Sequence, residues 1–203
     1  MGRVSQAQAE ENRRRVVDTA SRLFREQGTQ VSVADLMKAA GLTHGAFYKQ
    51  FASKEALVDE ATAHAIDELA ERYAAGPEQD AGRYAAGPEQ DAGRRDTAQR
   101  TLIDTYLSVE HRDNAAGGCP IAALASDIAR APDGQEARRS YAEGVAEFAD
   151  FLGDDGQDGL VRLSTLFGAL VLSRATKGSE LSERILGAAH RALTDGTGRQ
   201  AAS

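Results

Sequence analysis

Apolar residues recur every three or four positions through almost the whole chain, and no segment sustains apolar–polar alternation of period two. That pattern predicts an all-α protein of about nine helices. Between Glu10 and Gln27 the repeating positions are Val16, Val17, Ala20, Leu23 and Phe24, and Gly28 ends the run. A short second helix is announced by Ser32-Val-Ala-Asp35, in which the serine hydroxyl accepts from the backbone N–H three residues on and Asp35 reaches back. Its inner face is Val33, Leu36, Met37 and Ala40. Gly41-Leu42-Thr43 then gives a positive φ, which lets the chain leave one helix, and a cap for the next. A third helix from about His44 to Gln50 turns Phe47 inward, and Ser53 caps a fourth from Lys54 to about Ala74 with Leu57, Val58, Ala61, Ala65, Ile66 and Leu69 as its buried stripe.

A verbatim tandem repeat interrupts the helices: Arg72-Tyr-Ala-Ala-Gly-Pro-Glu-Gln-Asp-Ala-Gly82 recurs at 83–93. Two copies are too few for a solenoid, and Pro77 and Pro88 break helix, so the repeat reads as a duplicated surface loop. Such lengthening adds only about 0.6 kcal/mol of closure entropy per doubling. Helical spacing resumes at about 96–112, 120–130, 134–152, 159–177 and 179–194, with turn signals at Pro132-Asp133-Gly134 and Gly153-Asp-Asp-Gly156. The expected domains are a reader over 1–53, a linking helix over 54–74, the duplicated loop over 75–95, and a helical body over 96–203.

Charge changes this picture. The 203 residues carry a net charge of −7, which by itself argues against nucleic acid as a partner. Residues 1–55, however, hold nine basic and six acidic side chains, a net +3, while 56–203 hold 15 and 25, a net −10. Opposite signs on two segments suggest two tasks. Other classes are excluded more simply. The longest apolar run falls far short of the roughly 18 residues of a membrane span, and the opening residues have no apolar targeting stretch, so a cytoplasmic location and no membrane partner are expected. One cysteine makes neither an intramolecular disulfide nor a structural zinc site. The four histidines are scattered, and no phosphate loop, metal-ligand cluster or nucleophile–base pattern is present, so no enzyme, metal or cofactor is expected.

Two short helices joined at a glycine and braced by a longer one form a helix-turn-helix, whose second member lies in the major groove. The residues that carry it, Thr29-x-Val31-Ser-Val-Ala-Asp-Leu-Met-Lys-Ala-Ala-Gly41-Leu-Thr-His-Gly-Ala-Phe47-Tyr48-Lys-Gln-Phe51-Ala-Ser53-Lys54-Glu55-Ala-Leu57, resemble the DNA-binding domain of the tetracycline-repressor (TetR) family. The resemblance runs over about residues 10–60. Met37 stands where a small residue is common. It implies an N-terminal three-helix reader, a C-terminal helical ligand-binding and dimerisation domain, and repression of transcription through a palindromic operator. Ser32 and Thr43 sit at helix N-termini, where a hydroxyl, free N–H groups and the helix dipole favour a phosphate oxygen. Tyr48 and Lys54 suit the DNA backbone, and His44 and Lys49 suit base edges, with Gly45 and Ala46 allowing close approach. Arg13-Arg14-Arg15 is expected to track phosphate or solvent.

The body supplies the remaining candidates. Leu163, Phe167, Leu170, Leu181, Ile185 and Leu186 lie on two successive apolar-faced helices, separated by Gly178 and a capping Ser179, and are expected to form a four-helix interface in a homodimer. Part of that face must pack on the chain's own core. Tyr106, Tyr141, Phe148, Phe151 and Phe167 are candidate liners of a pocket for an apolar or aromatic small-molecule inducer; plain core is the other reading of each. Cys119, in Gly117-Gly118-Cys119-Pro120, precedes a helix that Pro120 opens. A helix N-terminus lowers a thiol pKa, which allows a redox or electrophile sensor; a small buried residue at a helix entrance is the alternative. A DNA-binding protein indifferent to ligand is a further alternative. The repeat is expected to slacken the joint between the linking helix and the body, altering induction.

Overall fold

The apolar positions Val16, Val17, Ala20 and Phe24 form the buried face of α1 (Gln6–Gln27) in the structure, a computed structural model that describes residues 6–74, 88–132, 135–153 and 159–195. Gly28 stops the helix at φ +80°, its N–H donating to the Phe24 carbonyl at 2.9 Å. Next come α2 (Val33–Ala39), α3 (His44–Phe47) and α4 (Lys54–Ala74). The turn between α2 and α3 is a Schellman motif: Leu42 N–H donates to Met37 O at 2.8 Å and Gly41 N–H to Lys38 O at 3.1 Å. It places Gly41 at φ +71°, where a side chain would be strained.

The chain continues as α5 (Pro88–Tyr106), α6 (Val109–Asp113), α7 (Pro120–Arg130), α8 (Glu136–Leu152), α9 (Gly159–Ala175) and α10 (Glu180–Thr194). The described residues thus hold ten helices and no strand. Several boundaries differ from the sequence expectation: α1 begins at Gln6, before Glu10, and α3 ends at Phe47, short of Gln50. The helix expected from 96 starts at Pro88, inside the second repeat copy, because proline is tolerated in a first helical turn that has no intrahelical partner for its N–H. The same expected helix is cut near 107, where the Ser108 hydroxyl accepts from His111 N–H at 3.1 Å and starts α6. Most of the repeat, residues 75–87, lies outside the described residues, as do Asp133, Gly134 and 154–158.

Packing divides the chain into two units that cross its linear order. One unit comprises residues up to Leu69 together with Ala115–Gly144. Its core joins Phe24, Leu36, Met37, Phe47, Phe51 and Leu57 to Leu124, Ile128 and Ala137, so α7 and the first half of α8 pack with the helix-turn-helix rather than with the body expected over 96–203. Hydrogen bonds reinforce this. Thr29 N–H donates to the Asp127 carboxylate at 2.9 Å, Ala137 N–H to that of Asp59 at 2.8 Å, and the Tyr141 hydroxyl to Ile121 O at 2.7 Å. The other unit comprises Ala70–Asn114 and residues from Val145 on. Ile103, Tyr106, Phe148, Leu152, Leu163, Leu166, Leu170 and Leu186 are buried there, and Gln99 donates to Phe151 O at 2.8 Å. At one polar seam Arg112 donates to Ser182 at 2.9 Å and Ser182 to Ser173 O at 2.7 Å. Hydrogen bonds from Arg112 and Lys177 hold the Asp113 carboxyl down at about 2. Among the described residues no helix is long and apolar enough to cross a membrane, and no cluster of His, Cys, Asp and Glu could hold a metal ion.

Candidate nucleic-acid interface

Helix α3 has only four residues, too few to be stable by its own hydrogen bonds. It is held from below by Phe47, which is fully buried and stacks on Phe51 with ring centroids 5.4 Å apart. The opposite side faces outward. Tyr48 is 65% exposed, whereas the other large apolar side chains around it in this unit are enclosed. Its ring meets Phe47 edge-on at 5.2 Å and His44 edge-on at 5.7 Å, so an exposed aromatic rests on a buried one. His44, Gly45 and Lys49 are exposed beside it. A Cβ added to Gly45 would meet no heavy atom within 4 Å, so the fold does not require glycine there. Lys54 is half-buried at the start of α4, where Ser53 caps by accepting from Ala56 N–H at 3.1 Å. The same helix start, through a backbone N–H and Ser53, holds the Glu55 carboxyl below its ordinary range.

The two candidate phosphate hydroxyls differ. Ser32 accepts from Asp35 N–H at 3.1 Å and donates to the Asp35 carboxylate at 2.6 Å. Asp35 therefore takes the hydroxyl proton instead of reaching back to a backbone N–H, and Ser32 has no proton left for a phosphate while the cap is intact. Thr43 occupies the N-cap of α3 but makes no side-chain cap bond. Its hydroxyl does not serve the helix, contrary to the expected cap. Ser179 departs in the same way: it stands at the N-cap of α10 but donates to Thr176 O at 2.8 Å.

The arginine run also separates. Arg14 and Arg15 are exposed and pair along α1, with Glu11 and Asn12. Arg13 instead turns inward to Glu60, Gln50 O and the Phe51 ring. Helical spacing contains the signal, since Arg13 lies one turn before Val16 and Val17 on the buried face. Arg25, deeply buried, pairs with Glu68 at 3.1 Å and was not singled out by the sequence.

The pocket candidates fall in different units. Tyr106 and Phe148 are buried together with centroids 6.4 Å apart, Tyr106 also lies 4.6 Å from the His111 ring, and Phe167 is half-buried on α9. Burial pushes the His111 imidazole below its ordinary value. Cys119 and Tyr141 belong to the first unit, where burial and the neighbouring Cys119 push the Tyr141 phenol up to about 12. Cys119 is 2% exposed and makes no cap bond, so its position lacks the access that a sensing thiol needs. Of the dimer candidates, Leu163, Leu170 and Leu186 point into their own unit, Phe167 and Ile185 are half-buried, and Leu181 is exposed. The outward stripe of α9 is instead Leu160, Val161, Gly168, Val171 and Leu172, and that of α10 is Leu181, Ile185 and Ala188. A Cβ on Gly168 would again meet nothing within 4 Å.

Residues 16–61 match the family model described as bacterial regulatory proteins, tetR family. Over 61 residues the chain is 41% identical to the HTH-type transcriptional regulator AcrR of Shigella flexneri, a stretch that covers 30% of this chain and 28% of that protein. Over 62 residues it is 39% identical to the HTH-type transcriptional repressor KstR2 of Rhodococcus jostii (strain RHA1), covering 30% of each. The matched stretch therefore spans less than a third of these curated relatives. Likeness in fold extends further: the structure of a TetR transcriptional regulator from Chloroflexus aurantiacus J-10-FL matches with a TM-score of 0.69 at 24% identity, covering 96% of this chain and 98% of that one. The matched sequence covers the helix pair that turns at Gly41 and the start of α4, so over residues 16–61 the chain is similar to the DNA-binding domain of the tetR family of bacterial regulatory proteins.

Proposed function

We propose that the chain is a transcriptional repressor that binds a palindromic operator as a homodimer and releases it when a small molecule binds. The observation that carries this reading is the outward face of α3. Thr43 has a hydroxyl its helix does not use, Gly45 opens onto empty space, and Tyr48 and Lys49 stand in solvent. A hydroxyl at a helix N-terminus, an open backbone and an amphipathic ring suit phosphates and a groove wall. Thr43, Tyr48 and Lys54 bind the backbone in this reading, and His44 and Lys49 read base edges. Ser32 acts as the cap of α2. The acidic remainder of the chain repels DNA elsewhere and helps confine contact to this face. A cytoplasmic location follows from a DNA partner, and binding without chemistry follows from the regulator's role.

Pairing is supported by the exposed apolar stripes of α9 and α10; on α10 Leu181, Ile185 and Ala188 line an open groove of about 540 Å³ together with Glu183, Arg184 and Arg191. The buried aromatics Tyr106 and Phe148 favour an apolar or aromatic inducer. Repression is favoured as the sign by the relative whose printed name is repressor. A thermal-shift screen followed by a band shift on each hit tests the whole reading. The expected outcome is a compound that stabilises the protein and releases the duplex. DNA binding unaffected by any stabilising compound would favour a ligand-independent role. Deleting residues 83–93 tests the repeat, with altered induction expected and identical operator affinity and induction counting against it.

A further inference from the structure

Arg13 uses all three nitrogens of its guanidinium and one of its faces within its own unit. Its Nε and Nη2 donate to the two carboxylate oxygens of Glu60 at 3.2 and 2.5 Å, a bidentate pair. Nη1 donates to the backbone carbonyl of Gln50, and the plane lies over the Phe51 ring at 4.4 Å from its centroid. These contacts join three elements of one unit: α1, the segment just after α3, and α4. Gln50 and Phe51 are where the reading segment ends, and Gln50 N–H and Phe51 N–H both bond back to Phe47 O, at 2.8 and 3.0 Å.

From this geometry we propose that Arg13 is a positioning residue for DNA recognition, fixing the pose of α3 without touching the duplex. A four-residue helix takes its orientation from what holds its two ends. The Schellman turn at Gly41 holds one end, and Arg13 holds the segment that follows the other by binding the Gln50 carbonyl, whose residue bonds back to Phe47 O. The effect reaches the reading side chains through a run of rings: Phe51 stacks on Phe47, Phe47 meets Tyr48, and Tyr48 meets His44. Its carboxylate, carbonyl and ring contacts all lie inside the unit, which in this reading makes Arg13 a clamp on the reading segment and not the phosphate contact that its place in the Arg13-Arg14-Arg15 run suggests. Lysine at this position keeps the charge but lacks the planar fork that meets a carboxylate, a carbonyl and a ring together.

This inference rests on the proposed DNA-binding function, and its test separates the two. Wild type, Arg13→Lys, Arg13→Met and Glu60→Gln are compared for affinity to a selected duplex and to a scrambled one across a salt series, and for hydrogen exchange of residues 43–51 in the free protein. Positioning predicts that Arg13→Lys keeps wild-type affinity and salt slope on scrambled DNA, loses about tenfold or more in the selected-to-scrambled ratio, and exchanges faster at 43–51. Glu60→Gln keeps the guanidinium, the Gln50 bond and the Phe51 contact, so it holds the ratio near wild type. In a charge-removing Arg13→Met variant, an unchanged ratio with a salt slope lower in magnitude by about 0.9 would make Arg13 a phosphate contact and overturn the proposal. An unchanged ratio with unchanged exchange would also overturn it. If wild type itself fails to prefer any duplex, the functional reading fails, while the exchange comparison still decides whether Arg13 holds α3.

Discussion

Gly45→Ala tests the reading face because the fold and the proposed partner pull in opposite directions there. Gly45 lies within α3 and is not among the positive-φ glycines, so alanine adopts its backbone without strain. No heavy atom lies within 4 Å of the added Cβ, so no clash opposes it. Glycine in a helix costs about 0.5–1 kcal/mol relative to alanine, through the unfolded chain's entropy. In a helix of one turn the lower half of that range is the appropriate expectation. At roughly 2–4 °C per kcal/mol for a chain of this size, Tm should rise by about 1–3 °C. DNA affinity should move the other way. If the groove wall fills the space above Gly45, a methyl there overpacks the contact at about 1–3 kcal/mol, or roughly 5- to 150-fold in Kd. Thermal unfolding and fluorescence anisotropy with a selected duplex at fixed salt measure the two quantities. A variant that is more stable and binds as tightly as wild type would refute the placement of DNA at this face. A destabilised variant would refute the account of α3 itself.

The two hydroxyls should separate in the same assays. Ser32→Ala removes a cap worth about 1 kcal/mol and lowers Tm with little change in operator affinity. Thr43→Ala leaves stability within about 0.5 kcal/mol and weakens operator binding by about 1.5–3 kcal/mol if the hydroxyl meets a phosphate. Leu172→Glu places a charge on the outward stripe of α9, and sedimentation should then show the 21.6 kDa monomer where wild type shows twice that mass. A wild-type monomer at micromolar concentration would remove the dimer. The raised Tyr141 phenol gives a pH prediction. Its proton is held more tightly when folded, so its contribution is intact below the unfolded value near 10 and declines as pH rises toward about 12. Tyr141→Phe should show a shallower loss of stability over that interval in denaturant melts, and an unchanged slope would contradict the assignment.

Local chemistry was readable from the sequence, whereas partners distant in the chain were not. Gly28, Gly41 and Gly178 terminate helices as their places between apolar runs indicate, and all three take positive φ. Ser32 and Ser53 cap the helices that follow them. Each of those signals depends on residues three or four positions away. Thr43 and Ser179 have the same composition cue but make no cap bond, because cap position and side-chain rotamer are separate choices. Asp127, which receives Thr29 N–H, and Asp59, which receives Ala137 N–H, are ordinary charged residues until folding brings together segments 98 and 78 positions apart. The linear division at 53 and 95 failed to anticipate α7 beside the helix-turn-helix for the same reason. Leu163, Leu170 and Leu186 show a related limit: periodicity identifies an apolar face but leaves open whether it packs on its own chain or on another. Arg13 was obscured by its neighbours, since a run of three arginines reads as one surface charge although a helix sends them in different directions.

The central claim is that the outward face of α3, presented twice by a symmetric pair, recognises DNA sequence. Selection of bound duplexes from a random pool by the purified full chain tests it most directly. The account predicts enrichment of an inverted repeat whose half-sites lie on one face of the duplex, with enrichment lost in Gly45→Ala and Thr43→Ala. Enrichment of no sequence, or of a single half-site without symmetry, would contradict it.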